Sequence, residues 1–370
     1  MKYYIIAGEA SGDLHGSNLI KALKQMDSQA EITAWGGDLM EAAGAKLVKH
    51  YRDLAFMGFI EVLLNLRTIL SNLSFCKKDI LRYKPDVLVL IDYPGFNMRI
   101  AEFARKEGIK VAYYISPQIW AWKENRVHKL KRDVGLMLTI LPFEKDFYKR
   151  YSMEVSFVGH PLLDAIQNRP TFELAQRKAE MNLAEKGKLV ALLPGSRKQE
   201  IKSMLPTMIK VVEDLGLNWV LAAAPSQNVS FYEEVSGRKD LPIVGGRTYD
   251  LLEIADAALV TSGTATLETA LFDVPEVVCY KGSQISYQIA KRLVKVPYIS
   301  LVNLVMDKEV VKELIQGDFN TEQLSLALKN CLEGQVAEGL KAEYGLLKKK
   351  LGGAGASERA ANKIYEYALS

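Results

Sequence analysis

Short, predominantly apolar runs alternate with longer stretches of helical spacing along most of this chain. The runs fall at residues 3–7, 32–35, 87–91, 111–115 and 135–140, and again at 189–193, 219–223, 257–261 and 276–280. They lack the period-two alternation of a half-exposed strand, so each reads as a strand buried on both faces of a parallel sheet. Between them, apolar residues recur at helical intervals, as in Leu19, Leu23 and Met26 or Ile209, Val212 and Leu215. Strand and helix in alternation predict a doubly wound α/β architecture. Two such series predict two Rossmann-like domains, with a seam near the turn Gly159-His160-Pro161. The expected bounds are 1–165 for the first domain and 166–345 for the second. After Thr321 the pattern is helical only, and residues 346–370 are expected to pack as a helix back on the first domain.

Composition narrows the picture. A chain of 370 residues is too long for one ordinary core, which agrees with two domains. Its 49% hydrophobic and 25% charged residues argue against disorder and collagen-like repeats. A net charge of +4 suits an anionic substrate or a membrane surface but falls short of a nucleic-acid binder. Cys76, Cys279 and Cys331 are far apart and form no Cys-x-x-Cys pair, so neither a zinc site nor a disulfide framework is expected. They suit a reduced compartment. The apolar run before Glu9 is too short for a signal-peptide core, and no apolar stretch reaches the roughly 18 residues of a membrane span. A cytoplasmic protein able to touch a membrane is the expectation.

Ligands of open α/β sheets sit beyond the carboxyl ends of the strands. After the first run, the small residues Gly8, Ser11, Gly12 and Gly16 let a ligand approach the next helix; the plainer reading is a turn capped by Ser11 or Asp13. The spacing is not Gly-x-Gly-x-x-Gly, which disfavours a dehydrogenase. After run 87–91, Asp92 stands where a general base would, although a turn-initiating Asp fits equally. After run 189–193, Gly195, Ser196 and Arg197 form a small basic loop suited to phosphate oxygens; alternatively Arg197 merely pairs with Glu200. After run 257–261, Ser262, Gly263, Thr264, Ala265 and Thr266 leave helix N–H groups uncovered for an anion, with Glu268 one turn in for ribose hydroxyls. The plainer reading there is a Thr264 or Thr266 cap with an acid complementing the dipole.

No Asp-x-Asp occurs, and His15, His50, His128 and His160 lack metal-ligand spacing, so neither a metal nor another cofactor is expected. In the stretch 56–75, Val62, Leu63, Leu66, Ile69, Leu70 and Leu73 form a broad apolar face; it reads as core, or as a membrane-docking face helped by Arg67, Lys77, Lys78 and Arg82. The segment from Trp120-Ala121-Trp122-Lys123 to Lys131-Arg132 mixes aromatics with cations, as a charged surface helix or a lipid- or phosphate-docking element would.

Taken in order, these pieces resemble the lipid-A-disaccharide synthase family. The matching segments are Gly8-Glu9-Ala10-Ser11-Gly12-Asp13, Ser116-Pro117-Gln118-Ile119-Trp120-Ala121-Trp122 and Leu141-Pro142-Phe143-Glu144. Gly159-His160-Pro161, Leu193-Pro194-Gly195-Ser196-Arg197, Ser262-Gly263-Thr264-Ala265-Thr266-Leu267-Glu268 and Ser300-Leu301-Val302-Asn303-Leu304 complete the set. The resemblance implies a B-type glycosyltransferase fold, its two domains facing a cleft, that joins UDP-2,3-diacylglucosamine to 2,3-diacylglucosamine 1-phosphate through a β-1,6 bond, without metal. It implies a UDP-sugar donor, a lipid acceptor and the inner-membrane surface as partners, and no nucleic acid; an oligomer is left open. It places Asp92 and Arg197 at positions important for activity, and Glu268 and Asn303 on the UDP side. Glu9, Ser11, Gly12, Asn97, Ser116 and Trp120 are expected on the acceptor side, and Phe59, Leu63, Leu66 and Leu70 toward lipid. The family often reads Asp-x-Pro-Asp-Phe-Asn where this chain has Asp92-Tyr93-Pro94-Gly95-Phe96-Asn97, so the base expectation concentrates on Asp92. Another UDP-sugar enzyme such as an epimerase, or a non-catalytic nucleotide-binding module, is the alternative.

Overall fold

A computed structural model describes residues 1–53, 66–167, 169, 187–283, 287 and 296–370. The chain divides into two compact units, Met1–Arg169 with Leu351–Ser370, and Pro170–Lys350. Each is built on one parallel sheet with helical connections. The observed divisions at 169 and 350 stand beside the sequence-based bounds of 165 and 345.

In the first unit the strands are β1 (Lys2–Ala7), β2 (Glu31–Gly36), β3 (Lys46–His50), β4 (Val87–Ile91), β5 (Lys110–Tyr114), β6 (Leu136–Thr139) and β7 (Ser156–Phe157). They lie in the order β3-β2-β1-β4-β5-β6-β7, all parallel. The second unit holds β8 (Leu189–Leu193), β9 (Asn218–Ala223), β10 (Ile243–Gly245), β11 (Ala257–Thr261), β12 (Glu276–Tyr280) and β13 (Lys312–Ile315). Their order, β10-β9-β8-β11-β12-β13, repeats the pattern of the first sheet. In each sheet the winding direction reverses between two central neighbours, β1 and β4 or β8 and β11. A crevice opens beyond the carboxyl ends of strands at such a reversal, and it is where open α/β sheets bind ligands.

Every apolar run of the sequence is a strand. The four strands without such a run, β3, β7, β10 and β13, are the outermost strands of the two sheets. Their residues are mostly half-exposed, so they lack the largely apolar code of strands covered on both faces. The central strands are fully buried, as in β4 and β8.

Polar ties fasten helices to the first sheet. The Tyr4 hydroxyl donates to Asp79 (2.7 Å) and accepts from Trp35 Nε1 (2.8 Å), tying the helix Leu66–Tyr83 to β1 and β2. The terminal helix Ala356–Leu369 packs on the helix Ala10–Met26. Asp164 caps its start, accepting from the N–H groups of Gly355 (2.6 Å), Ala356 (3.2 Å) and Ser357 (2.7 Å).

Candidate active site

The loops after β1 and β4 flank the reversal of the first sheet. After β4 the backbone of Asp92 and Tyr93 turns left-handed, at φ +43° and +50°. Non-glycine residues take that conformation only at an energetic cost, so something must hold them. Two buried side chains do. Tyr113 Oη donates to the Asp92 carbonyl at 2.6 Å, and Asn97 Nδ2 donates to the same oxygen at 2.8 Å and to Ile91 O at 3.1 Å. The Asp92 N–H donates to Tyr114 O (3.2 Å), and Pro94 then opens the helix Pro94–Lys106. A Cβ on Gly8 would fall 2.4 Å from the Tyr93 ring, so only glycine lets the two loops pack this closely. Burial, and next the charge of Glu9, push the Asp92 carboxyl up to about 7, against a hydrogen bond from Tyr93 N–H. A carboxyl so poised is suited to take a proton near neutral pH.

The loops after β8 and β11 meet at the second reversal. Gly195 sits at φ +95°, and a Cβ there would fall 2.9 Å from Glu200 Oε2 and 3.2 Å from Thr261 Cγ2. Gln227 Nε2 donates to Ser196 O (2.9 Å), bracing the loop from the end of β9. Arg197 pairs with Glu200 at 3.0 Å, as the plainer reading anticipated, yet it is 73% exposed. That pairing uses one nitrogen of a five-donor fork and leaves the rest toward solvent. The helix Thr264–Leu271 starts without a side-chain cap, so its first N–H groups remain open to an anion. Glu268 Oε1 accepts from Tyr249 Oη (2.6 Å), and burial raises the carboxyl above its ordinary value.

A model of the family described as lipid-A-disaccharide synthetase matches residues 3–363. The chain belongs to the lipid-A-disaccharide synthase family. The enzyme of that name from Syntrophus aciditrophicus (strain SB) is 42% identical over 366 residues, with 96% of this chain and 95% of that one covered. The one from Geobacter sulfurreducens is 38% identical over 371 residues, covering 98% and 96%. A UDP-GlcNAc 2-epimerase from Neisseria meningitidis shares the fold at a TM-score of 0.67 and 12% identity, with both chains fully covered. The glycotransferase of kitacinnamycin does so at 0.65 and 15%, covering 99% of this chain and 98% of that one. The chain is therefore a glycosyltransferase of lipid A biosynthesis, with two parallel-sheet α/β domains.

Several residues expected to touch ligand in this synthase have their side chains engaged elsewhere. Asn97 is fully buried and holds the Asp92 turn. Ser116 is buried and shares a hydrogen bond of 2.6 Å with Tyr148, while Trp120 Nε1 donates to Glu144 at 3.3 Å. These two join the loop after β5 to that after β6. The Glu144 carboxylate also accepts from Ile140 (3.1 Å) and Leu141 (2.9 Å) N–H, yet burial pushes it up to about 7. Asn303 is fully buried, accepts from Val310 (2.7 Å) and Val311 (2.9 Å) N–H, and donates to Val311 O and Glu313. Both arms of its amide are engaged in anchoring a loop. The Ser262 hydroxyl donates to Ile299 O (2.7 Å), tying its own loop to the one that Asn303 anchors. Thr266 is buried with its hydroxyl spent on Gly263 O (2.8 Å), whereas Gly263 and Thr264 are exposed.

Glu9 and Ser11 are exposed on the first turn, and Gly12 packs on Ala7. Neither Ser11 nor Asp13 caps its own helix. Asp13 instead accepts from Gly37 (2.8 Å), Leu39 (3.1 Å) and Met40 (3.0 Å), capping the neighbouring helix Asp38–Ala42. Phe59, Leu63 and the Leu66 side chain lie outside the described residues. Leu70 is 56% and Phe75 47% exposed, while Leu73, Cys76 and Ile80 of the same helix are buried. The helix thus supplies core on one side and apolar surface on another. Tyr113, Tyr249, Gln227 and Glu313 went unnoticed in the sequence. Tyr113 lies inside an apolar strand run, and nothing local marks the others as loop braces.

Proposed function

We propose that this synthase transfers the sugar of UDP-2,3-diacylglucosamine to 2,3-diacylglucosamine 1-phosphate by direct displacement, with Asp92 as general base. Asp92 takes the proton of the acceptor 6-hydroxyl, and that oxygen attacks the anomeric carbon of the donor on the face opposite UDP. The bond from that carbon to the diphosphate oxygen breaks, and inversion of an α-linked donor leaves a β-1,6 linkage. Arg197 and the open N–H groups at Gly263, Thr264 and Ala265 stabilise the charge gathering on the departing diphosphate. Glu268 faces the ribose, Gly195 and Ser196 line the phosphates, and Glu9, Ser11 and Gly12 border the acceptor. Among the described residues no helix is long and apolar enough to cross a membrane. Leu70 and Phe75, beside Arg67 and Lys78, serve as the docking surface on the inner membrane, where both lipids reside.

The observation that carries this reading is the Asp92 turn, a carboxyl held at the reversal point of its sheet and poised at about 7. General-base help is worth about 10²–10⁴-fold in rate. Asp92→Asn should therefore lose turnover on that scale while binding UDP as the parent does in calorimetry. Parental turnover in this variant would remove Asp92 as the base.

A further inference from the structure

We infer that Lys123 and Arg126, stacked on Trp122, form the subsite for the phosphate monoester of the acceptor, an inference that rests on the transfer reaction proposed above. The segment follows β5, the strand next to β4, and so leaves the sheet beside Asp92. It is set by a backbone that a β-branched residue rarely adopts. Ile115 stands at φ +64°, its N–H bonded to Leu138 O at 3.1 Å.

Beyond that turn, Trp122 is 50% exposed. The Lys123 ammonium lies 4.0 Å from the centre of its ring and the Arg126 guanidinium 6.0 Å. Both cations are partly buried, and neither makes an ion pair or side-chain hydrogen bond among the described residues. Their neighbours differ. Arg105 and Arg132 are neutralised by Asp133 (2.8 and 2.7 Å), and Lys131 donates to Tyr151 O (3.0 Å). The acid of the segment, Glu124, accepts from Tyr151 Oη at 3.2 Å.

Two like charges held together with no ion-pair partner among the described residues repel each other. Desolvation, and then Arg126, pull the Lys123 ammonium below its usual value. An anion of two charges relieves that repulsion, and a phosphate monoester also accepts both cations' hydrogen bonds. Trp122 fixes the pair through cation–π contact and offers a face to the sugar.

The position fits one substrate. Burial and Asp92 push the Tyr113 phenol upward while Arg126 pulls it down, so the cation is within electrostatic reach of the phenol that holds the Asp92 turn. The acceptor carries the attacking 6-hydroxyl and the 1-phosphate on the same ring. With the hydroxyl at Asp92, the phosphate needs a cation site close by on the same unit.

The test compares acceptors with and without the 1-phosphate, using the full chain in detergent micelles. The parent enzyme should prefer the phosphorylated acceptor by about 10–100-fold in kcat/KM, the scale of one or two charge-assisted contacts. Arg126→Gln and Lys123→Gln should each remove about tenfold of that preference. Donor KM, UDP affinity and melting temperature should stay as in the parent, and Arg126→Lys should recover part of the loss. A parent that uses both acceptors equally overturns the inference while leaving the transfer reaction intact. Unchanged acceptor preference in the variants overturns it too, as does a loss confined to donor KM, which would assign the pair to the diphosphate. A parent that makes no disaccharide from either acceptor overturns the underlying reaction, and the subsite with it.

Discussion

At Asp92 burial and the negative charge of Glu9 act in the same direction, both disfavouring ionisation, and a hydrogen bond from Tyr93 only partly opposes them. The carboxyl is protonated below about 7 and ionised above it. A base must be ionised, so kcat/KM should rise with pH through about 7 and then level off. Glu9→Gln removes the like charge, which lowers the Asp92 value and should carry the rise to lower pH. A rise that stays in place in a pH–rate profile of the variant would show that Glu9 does not act on the base. As candidates, Asp92, Gly195 and Arg197 were legible in the sequence because each lies within four residues of the end of an apolar strand run, where ligands of such sheets collect. The residues that hold them were not. Tyr113 reads as one more strand aromatic, and its role appears only when β5 lies beside β4 and brings its hydroxyl to the Asp92 carbonyl. Asn97 and Asn303 illustrate the converse: the resemblance expects them at ligand, while in the fold the Asn97 amide nitrogen bonds the Ile91 and Asp92 carbonyls and the Asn303 amide bonds Val310, Val311 and Glu313.

At the level of elements, burial on both faces makes a strand visible. The nine predominantly apolar runs are strands, whereas Lys46–His50 and Lys312–Ile315, at the sheet edges, have charged or polar residues at half or more of their positions and give no such signal. The helix Leu66–Tyr83 was ambiguous for a related reason. Its apolar residues cover more of the circumference than one core contact needs, and pattern alone does not say which of them are covered. Leu73, Cys76 and Ile80 face the core, while Leu70 and Phe75 face solvent. Replacing Leu70 and Phe75 together by Ser should therefore lower the melting temperature only modestly, since Leu70 fills no core site and Phe75, half-exposed, covers only one face of Trp35. The same variant should lose binding to vesicles of anionic phospholipid in a flotation assay. Binding as strong as the parent's would exclude this surface as the docking face, and a cooperative loss of folding would return it to the core.

The whole molecule repeats one solution twice. Two parallel sheets with the same winding each reverse direction between central strands, and each reversal gathers small-residue loops and a charged side chain, Asp92 in one unit and Arg197 in the other. The first arrangement is suited to accept a proton from an acceptor hydroxyl. The second presents an exposed guanidinium and an uncapped helix start, the chemistry that would suit a departing diphosphate. Strand–helix alternation foretold both sheets. The last helix, Ala356–Leu369, belongs to the first unit, where it packs on the helix Ala10–Met26 and takes from Asp164 a long-range cap that no local pattern specifies. The most direct test of glycosyl transfer is to follow UDP release and disaccharide formation from the two diacylglucosamine substrates, in detergent micelles containing EDTA. The account predicts UDP release that requires both lipids, persists in EDTA and yields a β-1,6-linked disaccharide 1-phosphate. UDP binding without any disaccharide, or UDP release that does not depend on the acceptor, would contradict it.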